Sequence, residues 1–185
     1  IELFPDVGEA LLKLIEHDYL LFVVTNQSGV ADGFLSIPDV ETVNSTLARM
    51  LDKQGVRIRC WYVCPHNKFD NCECRKPGVA FLEDAAAEYN LDLTRSFVIG
   101  DHPHDAVTGE ALGVSGLYLL TGHGLKHRNE LAAGKPVFAD LPAAVDWICA
   151  RRCTDETPDA WRLRPHTKVR TQAGDSGGRT FQDDF

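Results

Sequence analysis

Four side chains suited to a borderline-soft metal lie within eleven residues: Cys64 and His66, then Cys72 and Cys74. Each pair is spaced by one residue, and the pairs bracket a five-residue turn. Zinc takes thiolate sulfur and imidazole nitrogen in a tetrahedral shell of four, and a catalytic zinc needs one position left open. Four protein ligands fill the shell, so the spacing predicts a structural Zn²⁺ site. Three thiols and an unrelated histidine are the competing reading, and the paired spacing argues against it. Arg75 and Lys76 follow directly. Lysine can act as a point charge on a phosphoryl group, and arginine as a planar fork for a second anion or for hydroxyls. A metal that folds this loop would also fix where the two cations point.

Two other polar runs carry possible chemistry. Thr25, Asn26, Gln27 and Ser28 supply hydroxyls, amides and backbone N–H groups, which can bind phosphate oxygens without full charges. An ordinary polar turn would use the same residues. Gly100-Asp101 followed by Asp105 offers two carboxylates. Asp101 suits a hard cation such as Mg²⁺, which prefers carboxylate and phosphate oxygens. Asp105 suits the cap of a following helix, a role compatible with one in the site. His102 and His104 read as polar loop residues, with metal ligation as the alternative.

The elements that must position these runs follow from apolar spacing. Val7, Ala10, Leu11, Leu14 and Ile15 predict an amphipathic helix from about Asp6 to His17. The apolar run from Leu20 to Val24 predicts a strand buried on both faces. Ser36 with Pro38 marks a helix start, and Val40 to Leu51 carry that helix to about Gln54. Strands are expected at Ile58–Val63, Ser96–Ile99 and Gly116–Leu120, and a short one at Val137-Phe138. Helices are expected over Val79–Tyr89, Asp105–Leu112 and Asp140–Ala150. Alternation of helix and strand predicts an α/β fold, a Rossmann-like parallel sheet with helices on both faces. Right-handed crossovers then put the loops after the strands on one edge of the sheet. All three polar runs follow strands, so the pattern predicts that they converge on one crevice.

Bulk properties bound the partners. The chain has 185 residues, 44% of them hydrophobic, enough for one cored domain over 1–150. Residues 151–185 are rich in Arg, Thr, Asp, Gly and Pro, and read as a disordered tail or linker. The net charge of −8, with no basic stripe, argues against nucleic acid and anionic membranes. No apolar run reaches the roughly 18 residues of a membrane span. Six cysteines without secretory context point to a reducing cytoplasm, with Cys60 a buried thiol and Cys149 and Cys153 outside the metal loop. A monomer is the expected state. The only methionine is Met50, and the chain opens at Ile1 in a helical pattern, so it reads as a trimmed or partial sequence.

The order TNQSG, then CPH with CxCRKP, then GDxxxD resembles the haloacid-dehalogenase superfamily. More narrowly it resembles the zinc-containing branch of heptose-bisphosphate and histidinol-phosphate phosphatases, over residues 1–150. The resemblance implies a Mg²⁺-dependent phosphomonoesterase working through an aspartyl-phosphate, with a second aspartate as general acid and base. It implies that Thr25 donates to the transferring phosphoryl group, Lys76 offsets its charge and Asp101 holds Mg²⁺. Asn26, Gln27, Ser28 and Arg75 would line the substrate site, and Cys64, His66, Cys72 and Cys74 would bind zinc. Its substrate would be a small phosphorylated molecule.

Three departures matter. The family's first motif, DxDGT, is absent, and no two aspartates in the 185 residues are separated by two positions. The nucleophile and its acid/base partner are therefore expected on a strand preceding this chain. Without that strand an exposed sheet edge and poor stability are expected. Asp32, before Gly33, stands where heptose phosphatases often carry arginine, and His102 stands where they often carry lysine. Ser28 leans toward the heptose members, because histidinol-phosphate members tend to read TNQDG. A sugar bisphosphate cleaved at its 7-position is thus the leading substrate, and histidinol phosphate or another small ester the alternative. The other class of reading is a zinc-binding domain that keeps the fold without the chemistry.

Overall fold

The computed structural model describes residues 1–152 and the strand Lys168–Thr171. The described residues fall into two compact units. One gathers residues 1–71 with those beyond 150, and the other holds residues 72–150. One limit falls after Ala150, where composition changes, and the other between Asn71 and Cys72.

In the first unit, α1 (Val7–Glu16) buries Ala10 and Leu14, two of the apolar positions that predicted it. Gly8 brings α1 close to the chain after α2, since a methyl there would fall on the Gln54 side chain. β1 (Leu21–Asn26) and β2 (Ile58–Cys64) pair in parallel, from Phe22 opposite Cys60 to Asn26 opposite Cys64. α2 (Ile37–Asp52) connects them. It begins on a capping box: the Ser36 hydroxyl accepts from Asp39 N–H at 3.3 Å, and the Asp39 carboxylate accepts from Ser36 N–H at 2.8 Å. The Ser36 hydroxyl also donates to that carboxylate at 2.6 Å, and this bond, with the one from Ser36 N–H, holds the Asp39 carboxyl below its ordinary range.

Within the stretch read as a tail, Lys168–Thr171 forms β6 and runs parallel to β2, with Cys60 opposite Lys168. The sheet order β1-β2-β6 makes β2 the central strand, and all its residues are buried. β1 lies at the sheet's end, and only Leu21 in it is buried. The burial expected for β1 therefore belongs to β2, because a strand gains full cover only with neighbours on both edges. Cys60 is the buried thiol expected, at 0% exposure.

The second unit carries α3 (Ala80–Tyr89), β3 (Phe97–Gly100), α4 (Pro103–Val107), β4 (Ser115–Leu119), α5 (Gly124–His127), β5 (Val137–Phe138) and α6 (Leu141–Arg152). Its sheet is also parallel, in the order β3-β4-β5. The helix expected over Asp105–Leu112 is instead α4 followed by a 3₁₀ turn at Glu110–Leu112. Gly109 breaks it with φ +86°, a conformation open to glycine and costly to residues with a Cβ. Gly116 lets α4 lie flat on β4, since a methyl there would fall on the Ala106 carbonyl. Trp147 of α6 packs edge-on against Phe97 and Phe138, at 6.3 and 5.5 Å between ring centres. Among the described residues, no helix is long and apolar enough to cross a membrane.

Candidate functional site

Thr25 and Asn26 close β1, and Gln27 and Ser28 open the turn that follows. Gln27 N–H donates to the Cys64 carbonyl at 2.7 Å, which ties the start of this turn to the end of β2. The Gln27 side-chain amide donates to the Thr25 hydroxyl at 3.0 Å. That bond uses an acceptor lone pair of Thr25 Oγ1 and leaves its O–H to donate elsewhere. Phe34 and Leu35 N–H groups both donate to the Gly29 carbonyl, so the chain folds back within seven residues and keeps Thr25–Ser28 together. All four side chains are half-buried. An arrangement of hydroxyls and amides without charge can contact an anion's oxygens but cannot neutralise it.

The loop after β2 brings its four soft ligands together. Donor atoms of Cys64, His66, Cys72 and Cys74 all lie within 4.8 Å of one another. Cys64 Sγ and His66 Nδ1 are 3.7 Å apart. Ligands about 2.0–2.3 Å from a common tetrahedral centre stand roughly that far from each other, so the donor set fits zinc. Cys64 and Cys74 are wholly buried. The turn between the pairs is braced by itself. The Asp70 carboxylate accepts from Asn67 N–H at 2.7 Å, and the Asn67 side-chain carbonyl accepts from Phe69 N–H at 2.8 Å. Asn67 Nδ2 also donates to Asp32 at 3.2 Å, so Asp32 supports the loop. After Cys74 the chain turns sharply. Gly78 N–H donates to the Arg75 carbonyl at 2.7 Å. A methyl on Gly78 would fall on the Glu73 carbonyl, so only glycine lets the turn close this tightly.

In the second unit that turn delivers Lys76 to the carboxylates after β3. Lys76 Nζ lies 2.7 Å from Asp105 Oδ1, and both side chains are mostly buried. The other oxygen of Asp105 accepts from His102 N–H at 3.1 Å, so His102 is the N-cap of α4 and Asp105, expected as the cap, instead closes the capping box from within the helix. Gly100 makes room for this carboxylate, since a Cβ there would fall on it. Asp101 is held from the loop after β4: its Oδ2 accepts from His123 N–H at 2.7 Å. Gly122, at φ +58°, has no side chain to collide with that oxygen. Asp101 Oδ1 remains as an acceptor at a strand end, which fits one oxygen ligand of Mg²⁺.

The histidines are more organised than loop residues need be. His102 Nδ1 accepts from His104 N–H at 3.3 Å. Its ring stands 4.7 Å from that of His104 and 4.9 Å from that of His127. His127 Nδ1 meets Glu130 Oε1 at 2.8 Å, and this hydrogen bond holds the Glu130 carboxyl below its ordinary range. Desolvation holds the His104 imidazole below its ordinary range, helped by repulsion from His102 and Arg75. His123, His127 and Glu130 are the contributors that residue typing overlooked. The signal was available, because they follow β4 just as the other polar runs follow β1, β2 and β3.

The chain matches the HAD-hydrolase-like family model over residues 73–144. It is 38% identical over 119 residues to a D-glycero-β-D-manno-heptose-1,7-bisphosphate 7-phosphatase of Rhodopseudomonas palustris, covering 60% of this chain and 66% of that protein. It is 33% identical over 145 residues to the Helicobacter pylori protein of the same name, covering 76% and 81%. Its backbone resembles the crystal structure of D,D-heptose 1,7-bisphosphate phosphatase from B. bronchiseptica complexed with magnesium and phosphate. That likeness has a TM-score of 0.73 at 28% identity, over 80% of this chain and 84% of the other.

Proposed function

The chain belongs to the HAD-like hydrolases, in the family of D-glycero-β-D-manno-heptose-1,7-bisphosphate 7-phosphatases, and from that membership we propose that it serves in removing the 7-phosphate of the heptose bisphosphate. The observation that carries this reading is the Lys76–Asp105 ion pair at 2.7 Å, which sets an ammonium beside the carboxylates that follow β3. Lys76 offsets the charge on the transferring phosphoryl group, and Asp105 positions it. Thr25 O–H donates to a phosphoryl oxygen. Asn26, Gln27, Ser28 and Arg75 contact the substrate. Asp101 is one ligand of Mg²⁺, which when bound would supply the positive charge that steadies nucleophile and phosphate. Cys64, His66, Cys72 and Cys74 hold a Zn²⁺ ion that fixes the loop carrying Arg75 and Lys76.

The test is phosphate release by the full-length protein with Mg²⁺, comparing the heptose 1,7-bisphosphate with histidinol phosphate and with fructose 1,6-bisphosphate. Phosphorus NMR of the product should show the sugar keeping its 1-phosphate. A higher kcat/KM for histidinol phosphate would move the protein to the alternative substrate. A folded full-length protein that cleaves none of these esters would leave a metal-binding domain without the chemistry.

A further inference from the structure

His102 and His127 are adjacent rings with opposite hydrogen-bonding commitments. A backbone N–H can only donate, so His102 Nδ1, which meets His104 N–H, must be the unprotonated nitrogen. In the neutral ring the proton then sits on Nε2. A carboxylate can only accept, so His127 Nδ1, which meets Glu130, must carry the proton. In the neutral ring Nε2 of His127 is then an acceptor. Two imidazoles 4.9 Å apart thus offer one donor and one acceptor. Both rings are half-buried. They adjoin the charged groups described above, because His102 N–H caps Asp105, which holds Lys76.

We propose that His102 and His127 form a donor–acceptor pair that recognises a hydroxyl of the substrate and selects polyhydroxylated phosphate esters over esters without hydroxyls. A hydroxyl both donates and accepts, so it can satisfy both Nε2 atoms at once. A second phosphoryl group, ionised twice above its second pKa of about 6, carries only acceptors and would leave the His127 acceptor unmatched. Glu130 and the backbone of His104 act as positioning groups, because each fixes one ring's tautomer. This inference rests on the phosphatase reading and narrows its substrate to a sugar.

Two measurements test it on the full-length protein. Nitrogen-15 NMR of the imidazoles at about pH 8, where an ordinary imidazole is uncharged, should find His102 protonated on Nε2 and His127 on Nδ1. Titration with a sugar phosphate should shift both rings, and inorganic sulfate, an oxyanion without an O–H, should not. Matching tautomers, or equal shifts with inorganic sulfate, would overturn the pair. In kinetics, His127→Leu should raise KM for the sugar bisphosphate about tenfold, the scale of one lost hydrogen bond in a desolvated site. The same variant should lower kcat/KM for the sugar bisphosphate several-fold more than for p-nitrophenyl phosphate, and His127→Gln, which can place an acceptor near Nε2, should recover most of the sugar affinity. Parallel losses on both substrates would sink the proposal. If the wild-type protein cleaves no ester at all, the phosphatase reading fails, and the ring spectra still decide whether the pair binds a sugar phosphate.

Discussion

Lys76 has its charge met by Asp105, and this single contact links stability with the proposed chemistry. Asp105→Asn would take one counter-charge from a mostly buried ammonium, and weakening a buried polar contact costs on the order of 1–3 kcal/mol. A denaturant titration of the variant should show that loss, and an unchanged midpoint would mean the pair contributes nothing. Lys76→Ala in the full-length protein should lower kcat by about 10²-fold, the scale of one lost preorganised charge contact. Adding Asp105→Asn to Lys76→Ala should cost little further activity, because the carboxylate acts through the lysine. Unchanged kcat in Lys76→Ala would remove its assigned role. At this scale the sequence was legible wherever a residue acts through its own type, as with Cys64, His66, Cys72 and Cys74, whose donor atoms gather within 4.8 Å, and Lys76, which pairs with a carboxylate. It was opaque where the backbone acts. His123 holds Asp101 with its N–H, and no side-chain type announces that. The His127–Glu130 bond joins a short helix to a 3₁₀ turn, where no apolar period draws attention to spacing.

Elements were legible where periodicity and punctuation agree. α2 begins where Ser36 and Pro38 place it, and its capping box has a pH signature. Asp39 has a folded-state pKa below its ordinary value of 3.8. Its contribution is therefore fully present above that ordinary value and is lost as pH falls through the lower folded value. The melting temperatures of wild type and Asp39→Asn should differ at neutral pH and converge once acid has protonated the folded-state carboxylate. A difference that persists in acid would mean that the carboxylate's charge is irrelevant to the cap. The helix expected over Asp105–Leu112 failed for a local reason: Gly109 takes a left-handed conformation, which composition alone does not reveal. β6 was illegible because Lys168-Val-Arg-Thr171 has no apolar run, and only pairing with the buried β2 defines it as a strand. Gly116 tests the close contact of α4 and β4. Gly116→Ala would press a methyl on the Ala106 carbonyl, and overpacking of this kind costs typically 1–3 kcal/mol. A variant as stable as wild type would show that α4 can slide away without loss.

For the whole molecule, no linker signalled the division at Asn71 and Cys72, since the five residues before Cys72 include no glycine or proline. What the sequence did disclose is the device in that region, a loop of four candidate metal ligands whose donor atoms gather within 4.8 Å. Its energetic consequence follows from burial. Cys64 and Cys74 have 0% exposure, and a thiolate removed from water needs a compensating charge. A divalent ion supplies it, and because an unfolded chain holds no preformed site, binding free energy becomes folding free energy. The purified protein should therefore contain about one zinc per chain by elemental analysis, the stoichiometry of a closed four-ligand site. A strong chelator should lower the melting temperature, and added Zn²⁺ should restore it where added Mg²⁺ does not, because thiolate ligands favour the softer ion. Acid should act like the chelator, since protons compete for the same sulfur and nitrogen atoms. Cys72→Ser should keep the fold's hydrophobic core but lose most of the metal, because this half-exposed ligand contributes least to packing. A metal-free protein that melts at the same temperature as the zinc-loaded one would show that the four side chains are neighbours without being ligands.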